Sequence, residues 1–359
     1  MNSMTQLNQP RVFQDQFGRQ KRKLRISVTD RCNFKCVYCM PEHPEWMNKH
    51  SLLSFEELYV FCEFMVQQGI EQIRITGGEP LMCQGVVYFI AQLQALRKIG
   101  LKRISMTTNG HYLAAYAAQL KHAGLDGLNI SLDSLNPVQF EALTQKKLQP
   151  VLEGIAAAKQ SGLNIKINTV LIKGVNDDQI LPIVKWAHSA QFEPRFIEFM
   201  PLDGDQNWSA SSVVAEQEIL DVLATEFAVQ IQQGQGASPA RSYHIDGKPV
   251  GIISTITNVF CGECDRLRLN AQGELFNCLF AQTGLRLKAE IQYLAQQITQ
   301  HDAAAKDLSQ FDLHEKLSAY IWQKKSGYQA IQAEIHTKET QSYIQQSHGR
   351  KISMHMIGG

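Results

Sequence analysis

The chain has 359 residues, 44% of them hydrophobic, with 35 Lys and Arg against 34 Asp and Glu, a net charge of +1. Such a length supports one large or two smaller globular units. The balanced charge excludes the global field of a nucleic-acid or membrane-surface binder. The N-terminal stretch is polar and no window approaches 18 uninterrupted apolar residues, so neither a signal peptide nor a membrane span is expected. The expectation is a cytoplasmic chain.

Residues 1–20 read as a loose N-terminal arm. Arg19, Lys21, Arg22, Lys23 and Arg25 make a basic run that abuts a cysteine loop and could face an anion in part. Leu24, Ile26 and Val28 share one face of a strand. The strand leads into Cys32, Cys36 and Cys39, spaced C-x3-C-x2-C. Three thiolates on so short a loop can hold one metal centre. A cubane cluster would keep one iron open to a small chelating molecule; a zinc ion would need a fourth ligand such as Cys62, Cys83 or a histidine.

Ser54 and Glu57 form a capping-box signal that starts a helix running to about Gln68. Strand Gln72 to Thr76 ends in Gly77-Gly78-Glu79-Pro80, and a helix follows from Gly85 to Ile99. Strand Arg103 to Thr107 ends in Thr108-Asn109-Gly110, before a helix from Leu113 to Ala123. Strand Leu128 to Leu132 ends in Asp133. A helix near Pro150 to Gln160, a strand from Leu163 to Ile172, a helix from Asp178 to Ser189 and a strand from Arg195 to Met200 complete the pattern. Six strands alternating with helices predict an α/β fold, an incomplete (β/α)6 TIM-like barrel open on one side, with function at the strands' C-terminal ends. The expected division is an arm at 1–20, the partial barrel at 21–240 and a C-terminal α+β domain at 241–359.

That C-terminal part opens on a hairpin signal, Asp246-Gly247. It holds a second triplet, Cys261, Cys264 and Cys278, spaced C-x2-C-x13-C. Two clustered triplets in a chain of this size read as metal ligands rather than a disulfide framework. Arg266 and Arg268 alternate on a strand and so point to one side, with forks suited to phosphate. Arg25, Arg74, Lys166 and Arg195 lie near strand ends on the same rim. Six converging cations in a neutral protein favour a polyphosphate substrate. Residues 283–346 read as helical. The chain closes on Gly358-Gly359, a pair narrow enough to thread a cavity.

The C-x3-C-x2-C loop followed by Gly-Gly-Glu-Pro resembles the radical S-adenosylmethionine (SAM) superfamily. Further matches are Leu24–Asn33, Ile75–Leu81, Thr107–Gly110, Ile130–Asp133, Arg195–Glu198 with Met200-Pro201, and the second triplet with its Arg-x-Arg. Within the superfamily these match the GTP 3′,8-cyclase family of molybdenum cofactor biosynthesis. The resemblance implies two 4Fe–4S clusters, one on Cys32, Cys36 and Cys39 that cleaves SAM and one on Cys261, Cys264 and Cys278 that meets the guanine. It implies SAM contacts from Tyr38, Gly78, Ser131 and Met200. GTP would be held by Arg25, Arg74, Thr107, Lys166, Arg195, Arg266, Leu267 and Arg268. Catalytic roles would fall to Arg266, Arg268, Gly358 and Gly359. A homodimer, an electron donor of flavodoxin or ferredoxin type and a downstream cyclic pyranopterin monophosphate synthase are implied as partners, with no nucleic acid and no membrane. Asp265 departs from the Asn of many relatives, and Cys83 has no assigned role. Competing readings are a peptide-modifying radical-SAM maturase and a zinc-stabilised binding module.

Overall fold

Runs of alternating apolar residues form strands, and runs with apolar residues three or four apart form the helices between them. The chain is described here by a computed structural model covering residues 12–202, 208–232, 236–333 and 353–358. The strands are β1 (Lys23–Ser27), β2 (Gln72–Thr76), β3 (Arg103–Thr108), β4 (Gly127–Ser131), β5 (Ile165–Leu171), β6 (Glu193–Glu198), β7 (Val229–Ile231), β8 (Arg241–Ile245), β9 (Lys248–Ile253), β10 (Arg266–Leu269), β11 (Glu274–Phe276) and β12 (Leu285–Arg286). The principal helices are α1 (Phe55–Gln67), α2 (Val86–Leu93), α3 (Leu113–His122), α4 (Pro137–Thr144), α5 (Gln149–Gln160), α6 (Ile180–Ser189), α7 (Glu216–Ala224), α8 (Lys288–Thr299) and α9 (Ala303–Trp322).

The capping box behaves as expected: Glu57 N donates to Ser54 Oγ at 3.2 Å and Ser54 N to Glu57 Oε2 at 2.7 Å. Helix α4 was not anticipated. Its Asn136 side chain caps Val138 N and Gln139 N, and Pro137 sits in its first turn, a helix-start signal short enough to be missed.

All twelve strands join one sheet in the order β12-β11-β10-β1-β2-β3-β4-β5-β6-β9-β8-β7. The six expected barrel strands are extended at both edges, because β10 pairs in parallel with β1 and β9 in parallel with β6. Eight parallel strands therefore curve around the interior, and the expected boundary at residue 240 falls inside a continuous sheet. Side chains alternate. Leu24, Ile26, Ile73 and Ile75 are fully buried toward the helices, while Arg25 and Arg74 line the interior. The helical region after residue 283 packs α8 on α1 and α9 on α8, through Ile291, Leu294, Leu313 and Leu317.

Residues 12–20 are not loose. Phe13 and Asp15 are buried, Gln14 bridges Gln20, and Asp15 gathers four hydrogen bonds. A buried carboxylate satisfied by two cations ties this segment down, so Arg19 and Lys21 of the basic run serve the interior while Arg22 stays exposed and pairs with Glu71. Among the described residues no helix is long and apolar enough to cross a membrane.

Candidate active site

The first cysteine loop is held by backbone pairing between strand ends. Val28 N donates to Thr76 O at 3.0 Å, Gly78 N to Thr29 O at 2.8 Å and Glu79 N to Arg31 O at 2.8 Å. The glycine at 78 is required: a Cβ there would lie 2.3 Å from Arg31 O. Glu79 is buried and accepts from Leu81 N at 3.0 Å, Thr108 Oγ1 at 2.8 Å and Asn109 N at 2.7 Å. Its burial lifts its pKa to about 7 against these donors. Asn109 Nδ2 reaches Cys32 Sγ at 3.7 Å, as Phe34 N does at 3.4 Å. The Gly-Gly-Glu-Pro and Thr-Thr-Asn-Gly turns therefore both lock onto this loop. Tyr38 donates its hydroxyl to Asp133 Oδ2 at 2.7 Å.

No disulfide joins any of the six triplet cysteines. Burial pushes Cys32 up to about 11 and raises Cys36 and Cys39 further, each also feeling its neighbours' charge. The donor set thus calls for a positively charged group that stabilises thiolates. Among the described residues no three Cys, His, Asp or Glu side chains close tightly enough around one point to hold a single ion. Three thiols on each loop are a donor set that an iron–sulfur cluster with one open iron would take. At the second triplet burial would raise Cys264, but Arg266 and Lys324 outweigh it and hold the thiol at about 6.

The second triplet opens into a cavity of about 120 Å³ inside the barrel mouth. Its wall includes Arg25, Arg74, Thr107, Arg195, Met200, Arg266 and Arg268 together with all three cysteines. Register explains the convergence: Arg25 lies opposite Arg74 on one side and Arg268 on the other. Burial, then mutual repulsion, lowers Arg25, brings Arg74 to about 9 and brings Arg268 to about 10. Among the described residues no carboxylate pairs with Arg25, Arg74, Arg266 or Arg268. Arg266 Nε and Asn168 Oδ1 are buried without partners.

Two of the expected nucleotide contacts lie elsewhere. Lys166 is outside the cavity wall and pairs with Glu193 at 2.6 Å, the carboxylate that also holds Arg195 at 2.7 Å. Leu267 is fully buried in the apolar core on the opposite face of β10, so any ligand contact falls to its backbone. Ser131 ends β4 beside Asn168. The sequence reading did not single out Asn129, Asn168, Thr255 or Lys324, all of which line the cavity. Asn129 and Asn168 were legible as strand positions adjoining Thr107 and Arg195 in register; Lys324 arrives from beyond α9 and carried no such signal.

The C-terminal segment also enters the barrel. Residues Met354–Ile357 form a buried turn, His355 meets Trp46 edge-on at 5.8 Å, and Arg268 Nη1 donates to Gly358 O. A Cβ at Gly358 would lie 2.1 Å from Thr76 Oγ1, at φ +72°. Gly358→Ala is therefore expected to unseat the tail, seen as several-fold faster release of terminal residues by carboxypeptidase. Gly359 lies outside the described residues.

A radical SAM superfamily model matches residues 26–187 and a molybdenum cofactor synthesis C-terminal model matches residues 192–330. The fold is similar to that of Streptococcus suis SuiB bound to S-adenosylmethionine (TM-score 0.55, 12% identity) and of SuiB bound to precursor peptide SuiA (TM-score 0.58, 13% identity). These alignments cover 75% and 76% of this chain, which spans 64% of the length of each SuiB chain. Fold and cysteine loop together define a radical SAM protein. Proteins named GTP 3′,8-cyclase from Streptomyces coelicolor (42% identity, 78% of this chain, 84% of the relative) and Geobacter sulfurreducens (42%, 76% and 85%) align over most of their lengths. One from Peptoclostridium acidaminophilum is 43% identical over 77% of this chain and 86% of its own. The chain belongs to the GTP 3′,8-cyclase family.

Proposed function

We propose that this enzyme converts GTP to 3′,8-cyclo-7,8-dihydro-GTP, the first step of molybdenum cofactor biosynthesis. The carrying observation is the group of four arginines on the cavity wall, Arg25, Arg74, Arg266 and Arg268, without carboxylate partners among the described residues. Desolvated like charges are costly alone and fit a bound triphosphate, to which arginine donates in bidentate fashion. Cys32, Cys36 and Cys39 hold the first 4Fe–4S cluster, with SAM contacted by Tyr38, Gly78, Ser131 and Met200. When bound, the cluster and SAM would supply the one-electron chemistry that removes a hydrogen atom from the ribose and opens the way to the C3′–C8 bond. Cys261, Cys264 and Cys278 hold a second cluster facing the same cavity. Arg195 and Thr107 complete the nucleotide wall, Lys166 sets Arg195 through their shared Glu193, and Gly358, held by Arg268, takes a catalytic role together with Gly359. The protein works as a lyase in the cytoplasm, as a homodimer served by a flavodoxin- or ferredoxin-type donor, and hands its product to cyclic pyranopterin monophosphate synthase.

The test is 5′-deoxyadenosine release by anaerobically reconstituted, dithionite-reduced protein with SAM, with and without GTP. Stimulation by GTP with a cyclised nucleotide in the mass spectrum is expected. Release that ignores GTP and yields no nucleotide product from protein holding about eight irons per chain would overturn the substrate assignment.

A further inference from the structure

Every stretch that carries a cysteine of the second triplet has a cation on a backbone carbonyl. Arg19 Nη1 donates to Cys261 O at 2.7 Å, and Lys21 Nζ donates to Cys264 O at 2.9 Å. Lys324 Nζ donates to the carbonyl of Asn277, the residue before Cys278. Arg19 also ties Ser326 O and Lys325 O at 2.8 Å each, and Gln16 Nε2 donates to Lys324 O at 3.1 Å. Asp15 holds Arg19 at 2.7 Å and Lys21 at 2.6 Å. All four charged groups are buried, with Asp15 and Lys21 at 0% exposure, Lys324 at 3% and Arg19 at 7%. None of these side chains has a role in the nucleotide wall beyond Lys324.

We infer that Asp15, Arg19, Lys21 and Lys324 form a cationic clamp that positions the second cysteine triplet and raises the reduction potential of the group it holds. The inference rests on the second-cluster reading above. Residues 15–21 and 324–326 meet at this point, and three cations gather around one shared carboxylate, with the nearby Asp265 paired to Lys23 at 2.9 Å. The surplus positive charge lies within one residue of the thiolates. A cluster on three thiolates becomes more negative on reduction, so fixed nearby cations favour the reduced form; net charge and hydrogen bonding are the levers that set such potentials. The carbonyl bonds also fix the backbone at each ligand, as supporting partners do at metal sites. Asp15, Arg19 and Lys21 are positioning residues, since none of them lines the cavity.

The test uses the full chain carrying Cys32→Ala, Cys36→Ala and Cys39→Ala, so that only the second triplet can hold iron. Lys21→Met and Arg19→Met each leave Asp15 one cation, and Arg19→Lys keeps the charge. Reduction is followed by electron paramagnetic resonance across a potential titration with dithionite. At the parent's midpoint, each Met variant is expected to show a reduced-to-oxidised ratio about tenfold lower, which is about 59 mV for one electron, with Arg19→Lys recovering most of the loss. Unchanged midpoints in both Met variants would overturn the clamp, as would an Arg19→Lys shift equal to that of Arg19→Met. Should the Met variants bind no iron, Arg19→Lys decides: parental iron supports the clamp and lost iron overturns it. A parent without iron would instead sink the second-cluster reading itself.

Discussion

Gly78→Ala is expected to strip iron from the first cysteine triplet and to cut SAM cleavage roughly 100-fold. The added methyl would meet Arg31 O at 2.3 Å, Arg31 C at 2.5 Å and Asp30 O at 2.6 Å, all backbone atoms. No rotamer relieves that overlap. The turn after β2 must separate from residues 29–31, breaking the bonds from Gly78 N to Thr29 O and from Glu79 N to Arg31 O. Such steric strain costs about 2–4 kcal/mol. A displacement on the order of 1 Å at a reacting centre costs roughly 100-fold in rate. Iron per chain and 5′-deoxyadenosine release measure the effect. A variant with full iron and parental release would show that the close approach at Gly78 does not matter.

Arg268→Ala and Arg266→Ala are expected to weaken GTP binding roughly 30- to 150-fold each, the loss of about 2–3 kcal/mol for a charge-assisted hydrogen bond. Uncoupled SAM cleavage should persist, because the first triplet and its supports are untouched. The nucleotide-free Arg268 variant should also unfold at a higher temperature than the parent. Removing one of several buried, mutually repelling guanidinia relieves a destabilised site, at the expense of function. Isothermal titration with GTP and thermal unfolding of the free protein measure the two halves. Parental GTP affinity in both variants would remove the phosphate assignment.

Much of this site was legible in the sequence because its signals are local. The two cysteine triplets sit on short loops, and the alternation of Arg266 and Arg268 on β10 follows from the two-residue period of a strand. The capping box of α1 needed only Ser54 and Glu57. What remained hidden depended on distant pairing. The parallel contact of β10 with β1 and of β9 with β6 turned six expected barrel strands into eight, and no periodicity encodes which edge a strand joins. The burial of residues 12–20 depends on carbonyls of residues 261, 264, 325 and 326. The diversion of Lys166 to Glu193 is likewise a matter of neighbouring strands.

The β1–β10 contact has a consequence for how the protein is made. Lys23 pairs with Arg266 and Ile26 with Leu269, so β1 leaves the ribosome and waits for a partner made more than two hundred residues later. During that interval one side of β1 is an unpaired edge, a template for pairing with other nascent chains, and contacts between such distant segments form slowly. Clearing the ribosome with residue 269 in reach is then the event that closes this flank. Truncation before β10 should leave aggregates rather than a soluble half-barrel.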